Sequence, residues 1–184
     1  MAVENLLAKR KTTIVKSWFD LVVETYPEDT AKFLKSQKDP IANPVGRNTH
    51  KGLEILFDGV LGNADKETVE THLDPIIRIR AIQDFTPSQA TGFIFPLKKL
   101  IRDLVQKETK SDFDAGDLLL FESRIDALAL IAFDIYMKCR EKIYEIKATE
   151  ERNRTFKAFK RAGLIQEKPD AAPDEKETNS NVVR

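Results

Sequence analysis

Hydrophobic positions along the chain recur at spacings of three and four residues, which is the period of an α-helix. No segment shows the alternation of apolar and polar residues that is typical of a half-buried strand. The pattern therefore predicts an all-α fold, a bundle of about six helices with a long C-terminal helix. The predicted helices span about residues 2–25, 26–34, 48–61, 66–84, 88–108 and 111–147.

Capping patterns predict where two of these helices begin. Thr86 precedes a proline and stands three residues before Gln89, the spacing of a capping box. Thr25 and Glu28 have the same spacing, so Thr25 is predicted to cap the second helix.

Prolines predict two interruptions. Pro40 and Pro44 lie with Gly46 in residues 38–47, which are predicted to form a loop. Pro96 lies inside the fifth predicted helix, where it should remove one hydrogen bond and kink the helix.

The last helix is apolar on more than one face, so we expect it to be buried on more than one side. One side can pack on its own domain. The other side has apolar residues near heptad spacing and is predicted to pair with a second copy of the chain. The predicted homodimer interface comprises Ile125, Leu128, Ala132, Ile135 and Cys139.

The composition changes after residue 148. Residues 1–148 are predicted to form one domain, 149–165 a charged helical extension, and 166–184 a disordered tail that is rich in charge and lacks aromatic residues. In the extension, Phe156 and Phe159 are expected to pack on the core behind a solvated basic face. A membrane-surface helix or a docking helix for an acidic partner is the alternative.

The overall charge excludes some function classes. The 30 Lys and Arg residues balance 30 Asp and Glu residues, whereas a nucleic-acid-binding domain needs a basic excess. No apolar run is long enough for membrane insertion, and the single cysteine suits a reducing compartment, so we expect a cytoplasmic protein. Neither a metal-ligand cluster nor a nucleophile motif is present, and we expect no metal, no cofactor and no catalysis.

Arg80 is the candidate for an unusual buried charge. It shares a helical face with Leu73 and Ile77, whereas Arg78 points away from that face. A buried guanidinium needs a partner, and Asp84 is the predicted one. The alternative is a cavity for a small apolar ligand, lined by the candidate residues Arg80, Gln83 and Trp18.

Three segments together resemble a known family. They are Arg78–Arg102 (RIRAIQDFTPSQATGFIFPLKKLIR), Trp18 followed by Tyr26-Pro27, and the Asn43-Pro44-Val45-Gly46 loop. In their order and spacing they resemble the N-terminal sensory domain of the RsbT co-antagonist (RsbRD-type) proteins of bacterial stress signalling, from about Leu6 to Ile146. That resemblance implies a globin-like fold without haem and a homodimer, usually fused to a STAS domain that carries phosphorylated threonines.

No STAS domain follows in this sequence, so we expect a stand-alone, non-enzymatic sensor or accessory subunit that contacts another signalling protein. A haem-binding gas or redox sensor is the alternative function. His72 would then be the iron ligand, although its position beside Asp74 is typical of an exposed helical residue.

Overall fold

The described part of the chain is built from helices that short turns connect. In a computed structural model, it comprises residues 2–37, 39, 41–83, 85–109 and 115–165, and no strand occurs in it. The predicted all-α fold with a long C-terminal helix is therefore confirmed. The helices are α1 (Ala2–Val23), α2 (Glu28–Ser36), α3 (Pro44–Leu61), α4 (Lys66–Ile82), α5 (Pro87–Thr91), α6 (Pro96–Thr109) and α7 (Ala115–Arg161), with a 3₁₀ turn (Gly92–Ile94) between α5 and α6.

The chain divides into two compact units, residues 1–143 and residues 144–184. In the first unit α3 packs against both α1 and α4, and α6 packs against α1. Its core consists of the apolar stripes of these helices together with one face of α7. The largest fully buried side chains include Trp18, Phe57, Leu73, Leu97 and Ile125.

The capping box predicted at Thr86 is confirmed, and two further helix ends have clear local causes. The hydroxyl of Thr86 accepts from the backbone N–H of Gln89, and the side-chain oxygen of Gln89 accepts from the N–H of Thr86, which completes the capping box. Asp65 caps α4 by accepting from the N–H of Thr68 at 2.7 Å. Gly62 ends α3 with a φ of 87°, a conformation that glycine adopts without a steric penalty.

The second predicted capping box is wrong. Pro27 precedes α2, and no side chain caps its first turn. The Thr25 hydroxyl instead donates to the carbonyl of Val22 at 2.6 Å, because Thr25 belongs to the turn that ends α1. This leaves its oxygen available to a different donor.

The predicted loop at residues 38–47 is too long. α3 already begins at Pro44, where a proline has no N–H to leave unpaired. The side chain of Asn43 accepts from the N–H of Gly46 at 2.8 Å and donates to the carbonyl of Leu34 at 3.0 Å. These contacts bury Asn43 and hold the end of α2 beside the start of α3.

Pro96 separates two helices rather than kinking one. The 3₁₀ turn ends α5, and Pro96 is the first residue of α6, a position that suits a residue without an N–H. α7 continues to Arg161, beyond the predicted end at residue 147. The predicted caps Ser111 and Asp114 and the predicted tail at 166–184 lie outside the described residues.

The second unit carries the charged extension. Phe156 and Phe159 are 43% and 45% exposed, so the expectation that they are core residues is wrong. Within the described ranges, no helix combines the length and the apolar character needed to cross a bilayer.

Gly52 lies where α3 packs closely on α4, and Gly92 in the 3₁₀ turn provides a comparison. A Cβ added at Gly52 would lie 3.1 Å from the backbone oxygen of His72 and 2.9 Å from Ile76, so we expect Gly52→Ala to lower the free energy of unfolding by about 1–3 kcal/mol. Gly92 has no atom within 4 Å of that position. Gly92→Ala is the matched control and should leave stability unchanged or raise it slightly. Urea denaturation of both variants measures this, and equal effects would contradict the close approach.

Candidate functional site

Arg80, in the last turn of α4, is a charged residue with no exposed surface. The helical spacing predicted this inward position. Arg78, two residues earlier, is exposed and pairs with Asp74 at 2.5 Å, as a solvated arginine should. The side chain of Arg80 therefore requires a different explanation from that of its neighbour.

Three aromatic rings surround the guanidinium of Arg80. Its central carbon lies 5.1 Å from the ring centroid of Tyr26, 4.7 Å from that of Phe85 and 4.9 Å from that of Phe93. We call these three rings the Arg80 cage. The electron-rich ring faces attract a cation and exclude water from it. The indole N–H of Trp18 donates to the carbonyl of Phe93 at 2.8 Å, which fixes the inner wall of the cage.

The polar contacts of Arg80 are incomplete. Its Nη2 donates to the hydroxyl oxygen of Thr25, whereas Nε and Nη1 have no hydrogen-bond partner among the described residues. The predicted partner, Asp84, lies outside the described residues. Burial lowers the pKa of Arg80 because desolvation disfavours the charged form, and Tyr26 partly offsets this effect. The site thus holds a positive charge at an energetic cost.

A groove of about 390 Å³ lies beside the cage. Thr25, Tyr26 and Phe85, which all contact Arg80, also form its wall, and Gln83 lines it as well. We call this feature the Arg80 groove. Of the three candidate ligand residues, Arg80 and Gln83 are therefore at or next to the groove, whereas Trp18 lies behind the cage and supports Phe93.

α7 is attached to the turn that carries the cage. The hydroxyl of Tyr136 donates to the carbonyl of Phe85 at 2.6 Å, and Nη1 of Arg140 donates to the carbonyl of Ala81 at 3.2 Å. These two bonds join α7 to both sides of the turn between α4 and α5. A rearrangement of this turn would therefore act directly on α7.

The sequence interpretation missed these supporting residues. Tyr26 is far from Phe85 and Phe93 in the chain, and no local pattern shows that the three rings meet around one charge. The available signal was that all three belong to the segments that carry the family resemblance. Tyr136 and Arg140 gave no signal, because their partners are backbone carbonyls.

The five residues predicted for the homodimer interface are core residues of the single chain. Each is at most 9% exposed, because the side of α7 that carries them packs on the other helices of the first unit. Ile125 and Ala132 have no exposed surface. The exposed apolar residues near the middle of α7 are Leu130, Phe133 and Met137.

The other titratable candidates have ordinary surroundings. Nδ1 of the half-buried His72 donates to the carbonyl of Thr68 at 2.9 Å, a contact within its own helix. Burial raises the pKa of the Cys139 thiol, which disfavours the reactive thiolate. In the part of the chain that the structure describes, no three His, Cys, Asp or Glu side chains are grouped as metal ligands would be.

Replacing Arg80 by an apolar residue tests the cost of its burial. We expect Arg80→Met to leave the free energy of unfolding unchanged or to raise it by up to about 4 kcal/mol, since removing a poorly compensated buried charge relieves its desolvation. Urea denaturation measures this, and Arg78→Met on the exposed face is the control. A fall of more than about 2 kcal/mol for Arg80→Met would show that the ring contacts outweigh desolvation.

Comparison with known proteins agrees with the segments identified in the sequence. Residues 12–150 match the family described as the RsbT co-antagonist protein rsbRD N-terminal domain. An uncharacterized protein of Archaeoglobus fulgidus is 25% identical over 144 residues, which cover 75% of this chain and 82% of that protein. No solved structure matches the chain significantly. Because the family match covers most of the sequence, the resemblance is confirmed, and the chain belongs to the RsbT co-antagonist rsbRD N-terminal domain family.

Proposed function

We propose that this protein is a non-enzymatic regulatory domain that senses a signal and transmits it through protein contacts, as a homodimer. Membership of a regulatory domain family supports the general role. The observation that carries the specific proposal is that α7 has a buried face in the core and exposed apolar residues on another face. One helix can thus report a change in the core to a second subunit.

The exposed residues have the spacing of a helix–helix contact. Leu130, Phe133 and Met137 are three and four residues apart, so they lie on one side of α7. They are 68%, 44% and 38% exposed. We call them the α7 stripe. Spacing of this kind allows side chains to interdigitate with those of a second copy, whereas the five residues first predicted are already occupied by the core.

The proposed signal path begins at the Arg80 turn. The hydroxyl of Tyr136 donates a hydrogen bond to the carbonyl of Phe85. Met137, the next residue after Tyr136, belongs to the α7 stripe. A shift of the turn would therefore rotate or translate a segment of α7 that carries both contacts. Small displacements of packed helices of this kind are a common means of switching between two states.

The remaining parts of the proposal follow from the family and from the chemistry. We place the regulator in the cytoplasm and in stress signalling, with a second signalling protein as its target. The exposed basic extension around Arg154, Lys157 and Arg161 suits contact with an acidic surface of that protein. No catalytic step is included, because the buried Cys139 thiol is disfavoured as a nucleophile.

Charges placed in the α7 stripe test the homodimer. We expect the wild-type chain to sediment as a dimer and the Phe133→Glu, Met137→Glu double variant as a monomer, because two facing pairs of carboxylates would repel one another and could not be desolvated. Sedimentation velocity measures the oligomeric state, and circular dichroism checks that the helices are retained.

Ile82→Glu is the matched control, since Ile82 is an exposed apolar residue on α4, outside the stripe, and is 71% exposed. It should remain dimeric. A monomeric wild-type protein, or a folded double variant that still sediments as a dimer, would refute this interface.

A further inference from the structure

We propose that the Arg80 groove binds a small organic monocarboxylate, and that this anion is the signal that the domain senses. The binding site is inferred from the geometry around Arg80 alone. Only its role as a signal rests on the proposed regulatory function. Three features of the site lead to this ligand class: its charge, its access from solvent and the chemistry of its walls.

The buried positive charge of Arg80 favours an anionic ligand. Arg80 is completely buried, and its Nε and Nη1 donors have no acceptor among the described residues. Among the described residues, the Thr25 hydroxyl that accepts from Nη2 is neutral. Buried cations are normally paired with carboxylates, and a ligand that supplies one would satisfy both the charge and the open donors.

The groove gives access to this charge. Thr25 is an exposed residue, yet its hydroxyl accepts from Nη2 of Arg80, so the guanidinium extends to the wall of the groove. Tyr26 and Phe85 are the other two residues that belong to both the cage and the groove. Tyr26 lies in the turn after α1 and not in a helix. Its ring covers Arg80 from the groove side, so we infer that the ligand displaces this ring to reach Nε and Nη1.

The residues that line the groove indicate what the rest of the ligand, apart from its carboxylate, consists of. The rings of Tyr26 and Phe85 offer apolar faces, and Gln83 and Gln89 offer amides at the rim. None of the described residues that line the groove is charged. Its volume of about 390 Å³ is within the range of small-molecule sites. A monoanion with a planar apolar body fits these walls, whereas a phosphate dianion would bring a second buried charge with no partner.

Ligand binding would act on α7 through Phe85. Displacing the ring of Phe85 moves its backbone, whose carbonyl accepts from Tyr136 at 2.6 Å. Arg140 holds the other side of the same turn through the carbonyl of Ala81. The turn beside the groove is thus connected to the helix that carries the α7 stripe by two hydrogen bonds, which the side chains of Tyr136 and Arg140 donate.

Isothermal titration calorimetry with sodium benzoate tests the site. We expect the wild-type protein to bind one benzoate per chain, and to bind inorganic phosphate at least about tenfold more weakly. Arg80→Met should abolish binding, and Arg78→Met should not change it. Absence of benzoate binding, binding that survives Arg80→Met, or stronger binding of phosphate would overturn the proposal.

A rim variant separates binding from folding. Gln83 is exposed, so Gln83→Glu leaves the core intact and places a negative charge beside the incoming carboxylate. We expect it to weaken benzoate binding by about tenfold or more. Gln106→Glu adds the same charge on the exposed face of α6 and should bind as the wild type does. Equal affinities for the two variants would place the anion elsewhere and refute the assignment.

Hydrogen–deuterium exchange tests the connection to α7. Benzoate should change amide exchange in residues 130–140 of the wild-type protein, and Tyr136→Phe should remove this effect while keeping benzoate affinity. If the wild-type protein does not bind benzoate in calorimetry, the binding site is contradicted and the dimer proposal is unaffected. Unchanged exchange with intact binding contradicts the signalling role alone.

Discussion

The burial of the Arg80 guanidinium is the constraint on which the arrangement of this domain depends. A charge removed from water must be surrounded by groups that interact favourably with it. Here the faces of Tyr26, Phe85 and Phe93 serve that purpose, and they come from the turn after α1, the turn after α4 and the 3₁₀ turn. The positions of these three connections are therefore tied to one side chain.

The same constraint explains why α7 is connected to a turn rather than only to other helices. The turn that carries Phe85 must stay in place to cover the charge, and the hydroxyl of Tyr136 holds its carbonyl. One face of α7 thus belongs to the core, while Leu130, Phe133 and Met137 remain exposed. The same helix therefore contributes to the core and to an exposed apolar surface, which is the basis of the signalling role that we propose for it.

The burial of the Arg80 charge has a desolvation cost that its neighbours only partly offset. Enzymes use shifted pKa values to prepare a base, an acid or a nucleophile. A guanidinium carries only hydrogen-bond donors, and desolvation lowers the pKa of Arg80, so the role we propose for this side chain is anion binding rather than proton transfer. The chemistry of the site and the membership of a regulatory family therefore agree with each other.

The sequence by itself determined most of the helical segments, the cap at Thr86, and the inward position of Arg80, because these depend on residues within one or two helical turns. Whether Pro44 begins a helix depended on Asn43, whose amide is held by Leu34 of another helix. Only the tertiary structure decided which apolar side of α7 is buried, since both sides look alike in the sequence. It also decided that the rings of Tyr26, Phe85 and Phe93 together enclose Arg80, because the contact with Tyr26, far from Arg80 in the chain, leaves no local pattern.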